Sequence, residues 1–127
     1  MRDIVASIHP RHAQAILGGT KTIELRRKLP KQPVGLMYIH ETAPTSMVVG
    51  AVQVTAVDER QKDEMWAVHG PWAGVTKTEF YDYFDGMEDA GGLILRYPDI
   101  FKAPYPITDL GLKRPPQSWC YVPEATT

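Results

Sequence analysis

Cysteine is nearly absent from this sequence, which has only Cys120, and long apolar runs are missing altogether. A lone cysteine excludes an internal disulfide, so nothing indicates an oxidising compartment and a cytoplasmic location is expected. The apolar run at the N-terminus is too short for a signal peptide, and no segment is long enough to span a bilayer. The sequence therefore predicts a cytoplasmic protein that does not insert into membranes.

Several signatures of catalysis and cofactor binding are also missing. The sequence has no Gly-rich phosphate loop, no nucleophile elbow and no paired-carboxylate motif. His9 and His12 have helical spacing, but Pro10 disturbs the first turn and no third ligand lies close by. Cys120 lies between Trp and Tyr on a predicted strand, where a thiol is usually buried and inert. We therefore expect neither a metal nor a cofactor.

Positive and negative charges nearly balance over the whole chain, but positive charge is concentrated in one segment. The formal net charge is -1, while residues 21–31 hold five bases and one acid, a net charge of +4. The rest of the chain must then carry -5. This asymmetry indicates a local anionic partner rather than a cationic coat that binds anions without specificity.

The length of 127 residues, with 43% hydrophobic and 23% charged residues, predicts one domain over residues 1–127. Periodicity and turn residues predict strands at 2–8, 22–26, 34–40, 47–57, 91–97 and 115–122. Helices are predicted at 9–19, 60–70 and 76–84. This order favours an α+β fold, a small barrel or strongly bent sheet of about five to six strands with short helices over its ends.

Two local patterns are specific enough to predict geometry. Thr76 stands three residues before Glu79, a capping box that opens a helix with Phe80 and Tyr83 on its inner side. Gly50 interrupts an apolar strand and predicts a bulge or a bend.

The segment GTKTIELR alternates in a way that predicts which side chains share a face. Ile23 and Leu25 should be buried, and Glu24 and Arg26 should point together to the other side. Strict alternation would put Lys21 opposite Glu24. Lys21 must therefore lie just before the strand or at a bulge.

This segment resembles the Gly-x-Lys-x-x-Glu-x-Arg signature of the ASCH domains, which belong to the PUA-like superfamily. The signature residues are Gly19, Lys21, Glu24 and Arg26. The blocks SIHPRHAQAIL, YIHETAPTSMVVGAVQV, GVTKTEFYDYFDG and PPQSWCYV resemble small stand-alone bacterial and phage-type members of that family. The resemblance covers nearly the whole chain. It implies a PUA-like pseudo-barrel of mostly antiparallel strands, with a cleft beside the first helix lined by the signature residues.

The resemblance implies that the partner is RNA, a nucleotide or a modified nucleoside. Alternatively, the resemblance implies a small hydrolase, either an amidohydrolase acting on N4-acetylcytidine or a ribonuclease. In the amidohydrolase branch a Thr nucleophile stands where this chain has Glu24, and an acidic residue precedes the later helix where this chain reads Trp72-Ala73-Gly74. Both departures argue against deacetylation by that mechanism, since a carboxylate cannot replace an activated hydroxyl in acyl transfer.

The signature residues have distinct candidate roles. Arg26 offers a fork that can hold a phosphate or a base edge, and Lys21 offers a point charge. Glu24 would orient those two cations, accept a proton from an exocyclic amine, or act as a general base, in which case Lys21 and Glu24 form the catalytic acid/base pair. The spacing alone is also typical of a solvated salt-bridge set on a strand.

Five further residues are candidates for contacts with nucleic acid. Arg27 and Lys28 would form a phosphate rim. Tyr38 is the stacking candidate, because it lies mid-strand near a polar turn. Ser7 and Gln117 would supply hydrogen bonds from the cleft wall.

The leading hypothesis is thus a nucleic-acid-binding domain, and a monomer is expected. The hydrolase is its rival. A third hypothesis is a regulator or adaptor whose basic loop docks on a protein.

Overall fold

A computed structural model describes residues 1–124 of the chain, which contain six strands and three α-helices. The strands are β1 (Arg2–Ile8), β2 (Ile23–Leu25), β3 (Val34–Glu41), β4 (Met47–Gln61), β5 (Asp89–Tyr105) and β6 (Trp119–Tyr121). The helices are α1 (Pro10–Leu17), α2 (Lys62–His69) and α3 (Lys77–Tyr83), and two short 3-10 turns follow at Gly70–Trp72 and Ile107–Leu110. The α+β class and the strand number are confirmed. None of the helices in residues 1–124 has the length and apolar character to cross a membrane.

The six strands form one sheet in the order β2-β5-β4-β3-β1-β6. Neighbours are antiparallel except β1 and β3, which run parallel because α1 and β2 form the crossover between them. The two edge strands are only three residues long, and no backbone ladder joins them in the described chain. The sheet is therefore open and mostly antiparallel, not a barrel closed by hydrogen bonds between strands, and its helices pack against the sheet instead of covering barrel ends.

The bulge predicted at Gly50 is present. The register between β4 and β5 shifts between Val48 and Gly50. A Cβ at Gly50 would lie 2.7 Å from Leu17 Cδ2 and 2.5 Å from the Asp99 carbonyl oxygen. Only glycine lets α1 approach the sheet this closely, so the bulge also seats the first helix.

Apolar side chains cover both faces of the sheet. Ala13 and Ile16 of α1 pack into a cluster with β1, β3, β4 and β5. Met65, Phe80 and neighbouring residues of α2 and α3 form a second cluster with Ile23 of β2. A third cluster, around Val5, Val48 and Ile107, includes the partly buried Tyr38. The charged signature residues on and beside β2 lie next to residues of α1 and α3.

Helix α3 begins with the predicted capping box, but Tyr83 does not lie on its buried face. The Thr76 hydroxyl accepts from the Glu79 amide at 3.1 Å, and the Glu79 carboxylate accepts from the Thr76 amide at 2.8 Å. Phe80 and Phe84, four residues apart, take the buried face. Tyr83 lies at the edge of that face with 40% of its surface exposed, so its predicted inward position is wrong.

Buried His40 generates a prediction about stability and pH. Its side chain is 3% exposed, and its Nδ1 has no hydrogen-bond partner among the described residues. Burial lowers the pKa of His40 below its ordinary value. The folded state therefore holds this imidazole neutral, while the unfolded chain takes up a proton as the pH falls below about 6.5.

We expect the free energy of unfolding to be highest above that pH and to fall as the solution is acidified further. Urea unfolding at several pH values between 7.5 and 5 measures this slope. His40→Gln should flatten it, whereas His9→Gln, at an exposed position, should leave it unchanged. If the free energy of unfolding depends on pH in the same way in His40→Gln as in the parent protein, another titratable group causes the pH dependence.

Candidate functional site

A cleft of about 420 Å³ lies where α1, β2 and α3 meet. Its volume falls within the range of sites that hold small molecules or nucleotides. It is lined by Ser7, Ile8, His9, His12, Lys21, Glu24, Leu25, Arg26, Val75, Glu79, Phe80, Tyr83 and Gln117. Lys21, Glu24 and Arg26 of the signature are thus brought together in one concave site, whereas Gly19 does not line it.

Lys21 lies at the floor of this cleft. Strand β2 begins at Ile23, so Lys21 precedes the strand as the alternation requires. Its ammonium group donates to the Ala73 carbonyl at 2.6 Å and lies 3.2 Å from Glu24 Oε1. The residue is only 3% exposed, so both contacts are shielded from water.

The loop before α3 shapes the space around Lys21. Gly74 has φ +70°, and a Cβ there would lie 3.2 Å from Lys21 Cδ. The Thr22 amide donates to the Trp72 carbonyl at 3.0 Å, which fastens this loop to β2. A neutral backbone carbonyl therefore holds the ammonium group.

Glu24 lies between two cations. One carboxylate oxygen faces Lys21, and the other lies 2.9 Å from Arg26 Nη2. The Glu24 side chain is 8% exposed and that of Arg26 12%. Two cations share one carboxylate, so the floor of the cleft keeps one surplus positive charge in a poorly hydrated place.

Arg26 also links the two edges of the open sheet. Its Nη2 donates to the Ser7 carbonyl of β1 at 3.3 Å, and its Nη1 donates to Ser118 Oγ, just before β6, at 2.9 Å. The indole of Trp119 donates to the Lys28 carbonyl at 2.9 Å beside it. Most of the guanidinium fork is directed at the protein and is not free for a ligand.

His12 is the titratable group above Lys21. Arg11 Nη2 lies 3.1 Å from His12 Nε2, and because a guanidinium only donates, Nε2 must accept and the neutral ring carries its proton on Nδ1. Burial lowers the pKa of His12, and the positive charge of Lys21 lowers it further, against the opposing charge of Glu24. The imidazole is therefore neutral near pH 7.

The other predicted residues divide between wall and rim. Ser7 and Gln117 both line the cleft, and the Ser7 hydroxyl donates to a backbone carbonyl before β6. Arg27 and Lys28 are exposed and do not line it. The Arg27 amide donates to the Tyr83 hydroxyl at 3.2 Å, which puts Arg27 at the mouth of the cleft.

Tyr38, the predicted stacking residue, does not line this cleft. Its neighbours Met37 and Ile39 face α1, so alternation turns Tyr38 to the opposite side, where its ring centroid lies 6.5 Å from that of Phe101. Tyr83 is the aromatic residue with an exposed surface in the cleft wall. The sequence does not identify this position as a cleft residue, because three-residue spacing from Phe80 is equally typical of a core position.

His9 and His12 were also missed as cleft residues, although their three-residue spacing puts them on neighbouring turns of one helix face. Only a metal site was considered for them. Among residues 1–124, no three potential metal-ligating side chains are grouped closely enough to hold an ion.

Comparison with known proteins places this geometry in context. A model of the ASCH domain family matches residues 7–106. An ASCH domain-containing ribonuclease of Zymomonas mobilis is 31% identical over 96 residues, which cover 75% of this chain and 65% of that protein. The match therefore spans less than two thirds of that relative's length.

Solved structures agree over nearly the whole chain. The crystal structure of ASCH from Zymomonas mobilis superposes with a TM-score of 0.87 and 28% identity, covering 97% of this chain and 89% of that one. A tyrosine-to-phenylalanine mutant of the same protein gives a TM-score of 0.88, with 28% identity over 98% and 92% of the two chains.

The Lys21–Glu24–Arg26 contacts generate a prediction about stability. Glu24→Gln leaves two largely buried cations without their counter-charge, which we expect to lower the free energy of unfolding by about 3–5 kcal/mol. Lys21→Met should cost less, because Glu24 keeps its pair with Arg26. Urea denaturation of the parent protein, Glu24→Gln and Lys21→Met measures their free energies of unfolding.

Glu64→Gln is the matched control. Glu64 also pairs with an arginine, Arg60, at 2.7 Å, but its side chain is 58% exposed. Exposed pairs contribute little, so this variant should stay close to the parent protein. Equal losses for Glu24→Gln and Glu64→Gln would mean that the buried triad does not need its carboxylate.

Proposed function

The chain belongs to the ASCH domain family, and we propose that this protein binds RNA by taking one nucleotide into the cleft above Lys21. The observation that carries the proposal is the cleft floor, where buried Lys21, Glu24 and Arg26 leave one positive charge unbalanced. A concave, poorly hydrated and electropositive site of nucleotide size suits an anionic ligand. The relative from Zymomonas mobilis adds support, since it is named as a ribonuclease, an enzyme that acts on RNA.

The wall formed by Tyr83 suits the base of that nucleotide. Its ring packs edge-on against Phe84, with centroids 4.9 Å apart, and its hydroxyl accepts from the Arg27 amide. Two contacts thus fix the ring before any ligand arrives. A fixed aromatic ring stacks on any base at little entropic cost, which is how proteins often bind single strands.

The floor and upper wall suit the phosphate or the ribose. An ammonium group has three N–H donors, and Lys21 donates one hydrogen bond to the Ala73 carbonyl while forming an ion pair with Glu24. A remaining N–H of Lys21 would donate to a ligand oxygen in the cleft. His12 in its neutral form offers Nδ1–H close by, and Arg27 adds positive charge at the mouth.

The binding proposal predicts unequal effects for two tyrosines. Tyr83→Ala should weaken binding of a short single-stranded RNA by about 1–3 kcal/mol, because a stacking surface is lost. Tyr97→Ala is the control, since Tyr97 is 72% exposed and lies outside the cleft lining. Fluorescence anisotropy with a labelled oligonucleotide measures both affinities. Equal affinities for the two variants would remove Tyr83 from the site.

The same assay tests the charge. Lys21→Met should weaken binding, and Arg27→Ala should lower the dependence of affinity on salt by about one ion. If neither substitution changes the affinity at low salt, RNA binding by this cleft is wrong.

Cleavage of RNA is the second candidate function, and the neutral His12 beside Lys21 favours it. His12 would take the proton from the ribose 2′-hydroxyl as that oxygen attacks the adjacent phosphorus, and Lys21 would stabilise the charge on the phosphate oxygens. The 5′-oxygen of the next nucleotide leaves with a proton from water. Glu24 suits the base role less well, because both its oxygens are in ion pairs.

Cleavage through His12 predicts a particular pH dependence. Because the pKa of His12 lies below its usual value, the rate should be level near pH 7 and above, and fall on acidification below pH 6.5 as the base is protonated. His12→Gln should abolish turnover while RNA affinity remains. Single-turnover assays on a labelled RNA measure both. RNA recovered intact from the parent protein would leave binding as the whole function.

A further inference from the structure

A second concavity adjoins the cleft on the side of α2. This groove encloses about 590 Å³, and its lining includes Arg11, Trp66, Ala67, Lys77 and Glu79. Val75 and Glu79 line both spaces, so the groove continues the cleft and is not a separate site.

One exposed ion pair separates the two spaces. Arg11 Nη2 lies 3.3 Å from Glu79 Oε2, with the side chains 67% and 45% exposed. The other oxygen of Glu79 accepts from the Thr76 amide, so the carboxylate is held by the start of α3. Arg11 is not held by a helix cap. Because the Arg11–Glu79 ion pair is exposed, breaking it costs little free energy.

The groove offers what a further nucleotide needs. Arg11 and Lys77 bring two cations to its border against one lining carboxylate, Glu79, so the lining keeps one surplus positive charge whether or not Arg11 stays paired with Glu79. Trp66 forms an apolar wall, and its ring is held by Phe80 at a centroid distance of 5.3 Å. A fixed aromatic surface beside exposed cations is typical of surfaces that bind single-stranded nucleic acid.

We propose that this groove binds the nucleotide next to the one held in the cleft, so that the ligand is a single RNA strand of at least two nucleotides and not a free nucleotide. The phosphodiester between the two nucleotides crosses at Arg11, which exchanges Glu79 for the phosphate. The same movement releases Nε2 of His12 from its contact with Arg11. This inference rests on the proposed RNA binding and specifies its ligand.

The test compares uridine monophosphate with the tetranucleotide of uridine by isothermal titration calorimetry. The parent protein should bind the tetranucleotide at least about fivefold more tightly, since further phosphates and a base are engaged. Ala67→Glu puts a carboxylate into the groove from the exposed side of α2. It should weaken tetranucleotide binding about fivefold while leaving the monophosphate unaffected.

Val68→Glu is the matched control, because it adds the same charge to the next residue of α2, exposed but outside the groove lining. It should change tetranucleotide binding less than Ala67→Glu. Equal affinities for the two ligands, or equal effects of the two substitutions, would overturn the second subsite while single-nucleotide binding stands. If neither ligand binds, or if Lys21→Met changes neither affinity, both the groove and the proposed function are wrong.

Discussion

The pairing of one buried carboxylate with two cations is the interaction on which the rest of the site depends. Glu24 fixes Lys21 at the floor of the cleft and Arg26 at the edge of the sheet. Buried ion pairs contribute little net stability, because desolvation offsets most of the attraction. What Glu24 contributes is orientation: without a counter-charge, neither cation could stay in so dry a position. This explains why a single acid stands within the basic segment at 21–31.

Fold and site are coupled through the same residues. The open sheet ends in two short strands, β2 and β6, and side chains link the regions around them where a backbone ladder does not. Arg26 is one of those links, and it is also the partner of Glu24. A ligand that competes for Arg26 would therefore loosen the edges of the sheet. Lys21 and the groups above it are better placed to engage a ligand without cost to the fold.

The sequence predicts the order of the elements but not their full length, since β5 is expected at 91–97 and runs Asp89–Tyr105. The residues and the family signature also predict Ser7, Lys21, Glu24, Arg26 and Gln117, which line the cleft, but not His9, His12 or the exposed Tyr83. The capping box at Thr76, the bulge at Gly50 and the out-of-phase position of Lys21 each follow from a few neighbouring residues, and each is found as expected. The roles of Tyr38 and Tyr83 depend on distant packing: the direction of β3 beneath α1 turns Tyr38 away, and the short α3 leaves Tyr83 at the cleft wall. Helices α1 and α3 and strand β2 meet through contacts between distant parts of the chain, and the periodicity of the sequence does not predict such contacts.

The partner of Lys21 bears on the kind of chemistry this cleft suits. The family resemblance implies that the amidohydrolase branch has an acidic residue and a Thr nucleophile beside the lysine, and the sequence departs from that branch at both positions. Here the ammonium is held by the Ala73 carbonyl, and Glu24 stands at the position of the nucleophile. A neutral carbonyl satisfies a hydrogen bond without cancelling charge, so the floor stays electropositive. The hydroxyls of Ser7 and Tyr83, which line the cleft, contact backbone groups and not a base that could activate them for acyl transfer. The proposed binding of an anionic strand uses the positive floor instead, and the proposed cleavage uses the neutral imidazole of His12.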